Sequence, residues 1–239
     1  MKTVSICQPH YIPWIGYFEM IDRVDLFVFL DDVDYIKREW KNRNKIRGDI
    51  KSTKTKWLSI PIEKDHQRHT PIHVARIADT PWRQKHLDSF QHVYRKTRHF
   101  DNAYGILREG LNEPAESLGQ FNQALVIRIA EYLGITTTFT QSSTLQTQGK
   151  KTDRLISIAE AVDASAYIAN NGSSDYLEVD AFHRNGIDCS YQDYEHPEYF
   201  QWHENQRLPF LSHLSVLDLI ANHGPDSLGL LRQGRPSYA

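Results

Sequence analysis

TVSICQPHYIPWIGYFEMIDRVDLFVFLDD, residues 3–32, holds two apolar runs of strand length with a segment of helical spacing between them. Thr3 to Cys7 is short, β-branched and apolar, as a buried strand should be. It stops at Pro9, which has no N–H to give to a ladder. Trp14, Ile15, Phe18 and Ile21 then recur near helical spacing, and DLFVFLDD reads as a second strand ending in two carboxylates. Strand, short helix, strand is the start of a parallel βαβ unit, whose carboxyl-end loops are where open α/β sheets hold ligands. The segment therefore predicts an α/β fold, Rossmann-like in its first half, with three layers built on a mainly parallel sheet.

Outward from this unit, KWLSIPI and IHVARI read as two further strands separated by the polar loop EKDHQRHTP. Residues 82–133 are mostly helical and form a helical insertion, with Gly134 where a helix stops. A Ser/Thr/Gln-rich connection follows at 136–149. TDRLISIAEAV then reads as a helix capped by Thr152 or Asp153, ASAYIA as a strand, and NNGSSDYL as a loop of site-like composition. A helix (VDAFHRNG), a strand (IDCSYQDY) and an apolar helix (LSVLDLIANHG) close the chain. With no internal repeat and no low-complexity linker, residues 1–239 are expected to form one α/β domain.

Charged residues make up 24% of the chain and the net charge is -2, so the overall field favours neither nucleic acid nor membrane. Cys7 and Cys189 show no CxxC spacing, which argues against a disulfide framework or a zinc site and for a reducing, cytoplasmic setting. MKTVSICQP lacks the apolar run of a signal peptide, and no stretch approaches the roughly 18 apolar residues of a membrane span.

The chemistry concentrates in three places. Past the first strand, Gln8, His10, Tyr11 and Trp14 alternate with or flank Pro9 and Pro13, a rigid wall offering two hydrogen-bonding side chains and two aromatic faces. His10 is the candidate general base. Past the second strand stand Asp31, Asp32 and Asp34. Neighbours in an extended chain point to opposite sides, and Asp32 is the candidate to orient His10 or a nucleophilic amine. KREWKNRNKIR, from Lys37 to Arg47, sets six cations around Trp40. Nucleic-acid binding, a solvated basic loop and a small anionic ligand are its three readings, and a pI near 6.6 favours the last. Lys37 and Arg43 would then hold diphosphate charge, while Asn42, with Asn170 of the late loop, makes directional polar contacts. Cys7, inside an apolar strand, is expected to be inert. No HxxxH or HExxH pattern appears, no metal is expected, and nothing in the sequence names a cofactor.

QPHYIPWIGYF, DLFVFLDDVDYIKREWKNRNKI, SIPI, TDRLISIAEA, YIANNGSSDYLEVDAF, YEHPEYFQ and LSVLDLIANHG together resemble the WbqC-like family, over nearly the whole chain. Its members are encoded among bacterial polysaccharide and O-antigen biosynthesis genes. The resemblance implies a role in surface-sugar synthesis, with a transferase forming an amide by acyl or aminoacyl transfer to a nucleotide-linked amino sugar as the expected activity. A non-catalytic nucleotide-sugar-binding or assembly protein is the alternative, and a nucleic-acid binder a more remote one.

Overall fold

A computed structural model describes residues 1–66, 69–173 and 177–236. In chain order the first elements are β1 (Thr3–Cys7), α1 (Ile15–Asp22), β2 (Leu26–Phe29), β3 (Arg43–Arg47) and β4 (Thr55–Ser59). The helices α2 (Trp82–Tyr94), α3 (Phe100–Asn112) and α4 (Leu118–Leu133) follow, then β5 (Thr138–Gln141), α5 (Lys151–Ala161) and β6 (Ala166–Ala169). The last are α6 (Val179–Arg184), β7 (Asp188–Tyr191), β8 (Gln201–His203), β9 (Gln206–Leu208), α7 (Val216–His223) and α8 (Ser227–Arg232).

Five strands make one sheet in the order β5-β2-β1-β6-β7, and every pairing in it is parallel. β2 explains the three layers. All four of its residues are buried, the near-continuous apolar run of a strand covered on both faces. Leu26 and Val28 pack with Val4, Ile6 and the apolar sides of α5 and α6. Phe27 and Phe29 point the other way, into a larger core with α1, α2, α3, α4 and α7. The fold is thus an α/β sandwich of the Rossmann-like kind. From β1 the chain moves outward through β2 to β5, then returns to β6 on the other side of β1. The direction of winding switches between β1 and β6.

α2, α3 and α4 occupy the 82–133 stretch read as helical. α4 starts at Ser117, whose hydroxyl accepts from Gln120 N–H at 3.2 Å, and ends at Gly134, whose φ of +79° suits a residue with no Cβ. Among the described residues no helix is long and apolar enough to cross a membrane.

Several local expectations are corrected. IHVARI is not a strand: the N–H groups of Val74 and Ala75 both bond back to the Pro71 carbonyl, closing a turn that carries only isolated bridges at Pro71 and Ile77. KWLS does form β4, but its partner β3 lies inside the basic run, where Asn44 and Ile46 alternate inward. β5 lies within the supposed connection and pairs with β2 along its whole length. The cap of α5 is Lys150, with no side-chain bond. Thr152 instead accepts from Glu178 N–H at 3.2 Å and ties α5 to the start of α6.

Candidate functional site

A cavity of about 650 Å³ opens at the β1–β6 switch. Cys7, Gln8 and His10 reach it from the end of β1, Asn170, Asn171 and Gly172 from the end of β6, and Gln192 and Tyr194 from beyond β7. Trp14, Gly16 and Tyr17 contribute from the start of α1, Trp40 and Asn44 from the β3 region, and His213 from the approach to α7. Part of the NNGSSDYL loop, at 174–176, lies outside the described residues.

The turn after β1 is fastened by amides. Asn44 Nδ2 donates to the carbonyls of Tyr11 (3.2 Å) and Ile12 (2.9 Å). Asn122 Nδ2 donates to those of Pro9 (2.9 Å) and Lys41 (2.7 Å). Tyr11 N–H reaches the Trp40 carbonyl, and Val216 N–H reaches that of Pro13. These bonds hold Ile12, fully buried and β-branched, at a φ of +36°, a strained conformation costing about 1–3 kcal/mol unless its surroundings fix it. Gly16 completes the wall, because a Cβ there would stand 2.2 Å from the Trp14 ring that folds over it. That indole stacks against the rings of His213 (5.1 Å) and His196 (5.9 Å), which themselves lie 4.9 Å apart.

Among the described residues the lining contains no Asp, Glu, Lys or Arg. Five of its titratable groups are driven to their neutral forms. Burial, helped by the Lys41 charge, lowers His10 to about 3, and burial pushes the Cys7 thiol up to about 12, leaving it un-ionised and inert. Burial raises Tyr17 and Tyr194, and burial with the Lys45 charge lowers His213. His10 lies 5.1 Å from the Tyr17 ring, and Tyr17 OH donates to the Gln8 carbonyl at 2.9 Å.

Of the residues singled out in the sequence, Gln8, His10, Trp14 and Asn170 meet at this cavity. The others lie elsewhere. Tyr11 is fully buried in the core, its hydroxyl 2.8 Å from His86 Nδ1. Asp32 lies outside the lining, accepting from Ser142 Oγ at 2.6 Å and ion-paired with Arg154. Asn42 is buried and donates to the Ile60 carbonyl. Lys37 is exposed, and Arg43 stacks on Trp57 with its guanidinium carbon 4.1 Å from the ring centroid. Gln192, Tyr194, His213 and Tyr17 were not foreseen. Only Gln192 left a signal, as a polar residue directly after β7. No group of three or more His, Cys, Asp or Glu side chains among the described residues is placed to hold a metal ion.

A parallel sheet with a cavity at its winding switch, walled by a strand-end turn and a helix start, defines an α/β protein of Rossmann-like class with a pocket where such sheets hold ligands. The chain belongs to the WbqC-like protein family, whose model matches residues 8–229. It is 31% identical over 237 residues to the uncharacterized protein Rv1507c of Mycobacterium tuberculosis, covering 98% of this chain and 100% of that one. No solved structure matches the chain.

Proposed function

We propose that the protein is a cytoplasmic sugar-modifying transferase of bacterial surface-polysaccharide synthesis, which holds an amino sugar in the switch-point cavity and forms an amide on its nitrogen. One observation carries this reading: the cavity offers neutral amides and imidazoles beside aromatic rings and no full charge. Hydroxyl groups are recognised by such directional neutral partners, and the apolar faces of a sugar ring pack on indole and phenol rings. A cavity of about 650 Å³ is within the ordinary range for a small-molecule site.

The proposed step joins the sugar nitrogen to an acyl carbon and breaks the bond from that carbon to its leaving group. The amine proton passes to His10 and departs on the leaving group. With a pKa of about 3, His10 is unprotonated at neutral pH but a weak base. It therefore accepts a hydrogen bond from an amine that arrives neutral and takes its proton only as the nitrogen gains positive charge in the tetrahedral intermediate. Gln8 and Asn170 orient the sugar, and Trp14 packs against it. The carboxylate of Asp32, engaged by Arg154 and Ser142, has no part in this step. The test is incubation with amino sugars, free and nucleotide-linked, and acyl donors, with mass detection of an amide product. Absence of product from every pairing, with sugar binding intact, would leave a binding protein instead.

That second reading has its own support, since the five titratable lining groups described above are all held neutral. A purely binding cavity needs no acid or base that changes state. His10→Ala separates the two, lowering turnover well beyond its effect on affinity only if the histidine takes part in a chemical step.

A further inference from the structure

Six cations stood in the run from Lys37 to Arg47, and the fold has disposed of them unequally. Arg47 is 1% exposed, its guanidinium donating to the Gln201 side chain at 2.5 Å and the Pro209 carbonyl at 2.6 Å. Lys41 is 2% exposed and paired with Glu39. Arg43 and Lys45 remain on one face of the β3–β4 hairpin with no carboxylate partner among the described residues. Both lie over Trp57, at 4.1 and 4.9 Å from its centroid, and Lys45 is 5.9 Å from that of Trp40. The two indoles are 5.6 Å apart and unusually open, with Trp40 44% and Trp57 39% exposed. Trp40 also lines the cavity, and the Lys45 charge acts on His213 of the same lining. Cationic ledge and neutral cavity are thus continuous through Trp40.

We propose that this ledge binds a nucleoside diphosphate, with Arg43 and Lys45 on the diphosphate and Trp40 against the base, so that a sugar carried on the nucleotide enters the cavity. The inference rests on the sugar reading and divides one ligand between two surfaces of opposite character. Two un-neutralised cations suit the charge of a diphosphate, and an open indole suits a base. The same features do not suit a nucleic-acid strand. Burial of Lys41 and Arg47 removes two cations from what would have been a basic track, and the ledge leads into a pocket rather than along a groove.

The experiment is fluorescence titration of the full chain with uridine, adenosine, guanosine and deoxythymidine diphosphates, repeated with Arg43→Gln, Lys45→Gln and Trp40→Ala. At least one diphosphate is expected to bind and quench the indole emission. Arg43→Gln and Lys45→Gln should each weaken it about tenfold, and Trp40→Ala should weaken the nucleotide but not inorganic pyrophosphate. His10→Ala, which touches only the cavity, should leave diphosphate affinity unchanged while lowering that for the nucleotide sugar. Thermal melting of each variant separates loss of binding from loss of fold, with Lys45→Gln the least intrusive change. Binding by none of the four diphosphates overturns the proposal, as does binding indifferent to both cations. If nucleotide sugars bind equally well to the Arg43→Gln/Lys45→Gln double variant, the ledge assignment fails and the cavity assignment stands. If a single-stranded RNA binds through these residues and no diphosphate displaces it, the ledge is a nucleic-acid surface.

Discussion

The loops that follow β1 and β2 leave adjacent parallel strands at the same edge of the sheet, and both are rich in the side chains from which active sites are made. Their fates differ. After β1, backbone carbonyls are claimed by Asn44 and Asn122, and Gln8 and His10 are left lining the cavity. After β2, the side chains themselves are claimed. Asp31 is 1% exposed and accepts from Ser143 N–H (3.0 Å), Ser143 Oγ (3.0 Å) and Gln123 Nε2 (3.1 Å), while Asp32 is held by Ser142 and Arg154. The first loop uses internal hydrogen bonds on its backbone and leaves polar side chains at the cavity wall. The second uses its polar groups to fasten β2 to the segment after β5. What separates a site from a brace is where the partners are, and not which residues are present.

Substitution can break this contrast. The largest effect is expected at Asp31→Ala, which removes the buried carboxylate that holds Ser143 and Gln123 and should cost about 3 kcal/mol of stability. Urea unfolding measures the loss, and ligand affinity per folded molecule should be unchanged; a fully stable variant with lost affinity would make Asp31 a site residue after all. Gly16→Ala comes next. Its Cβ would displace the Trp14 ring, so about 1–3 kcal/mol of stability should be lost together with ligand binding, read as a lower melting temperature and altered tryptophan emission.

His10→Ala and Gln8→Ala should do the reverse of Asp31→Ala. Calorimetric titration should find ligand affinity about tenfold weaker, equivalent to about 1.4 kcal/mol, with stability within about 1 kcal/mol of the parent. A marked loss of stability with binding intact would make the β1 loop a brace like its neighbour. The smallest effect is on pH dependence. The folded pKa of His10, about 3, lies below its unfolded value of 6.5, so the unfolded chain takes up the proton first and stability is lost as pH falls below 6.5 toward 3. Relative to His10→Ala, the parent should therefore lose about 0.7 kcal/mol between pH 7 and pH 6. Parallel stability–pH curves for the two proteins would show that the imidazole is not desolvated.

The contrast also marks how far the sequence could be read. β1, β2 and β6 were legible because central strands covered on both faces are apolar runs, and the helices of 82–133 because their buried positions recur at helical spacing. β5 was not: TFTQ is a part-exposed edge strand with only Phe139 packed against the large core, so it looked like its polar surroundings. β3 was masked by charge, although Asn44 and Ile46 alternate as a strand requires. IHVARI had the alternation and still made a turn, because Pro71 set a carbonyl where two following N–H groups could reach it. Position after β1 and β6 favoured Gln8, His10 and Asn170, and all three line the cavity. Tyr11 and Asp32 satisfied the same rule but lie outside the lining, engaged by His86 and Arg154, partners far along the chain.

The order of strands in the sheet carries a consequence for how the protein is made. β2 pairs Leu26 with Thr138 of β5, and β1 pairs Val4 with Tyr167 of β6, so neither flank of the central pair can close until most of the chain has left the ribosome. Until then, β1 and β2 present apolar, unpaired ladders, while the helices of the insertion can already form from local contacts. The nascent chain is thus most exposed to aggregation in the interval before Thr138 emerges, and the insertion sets the length of that wait.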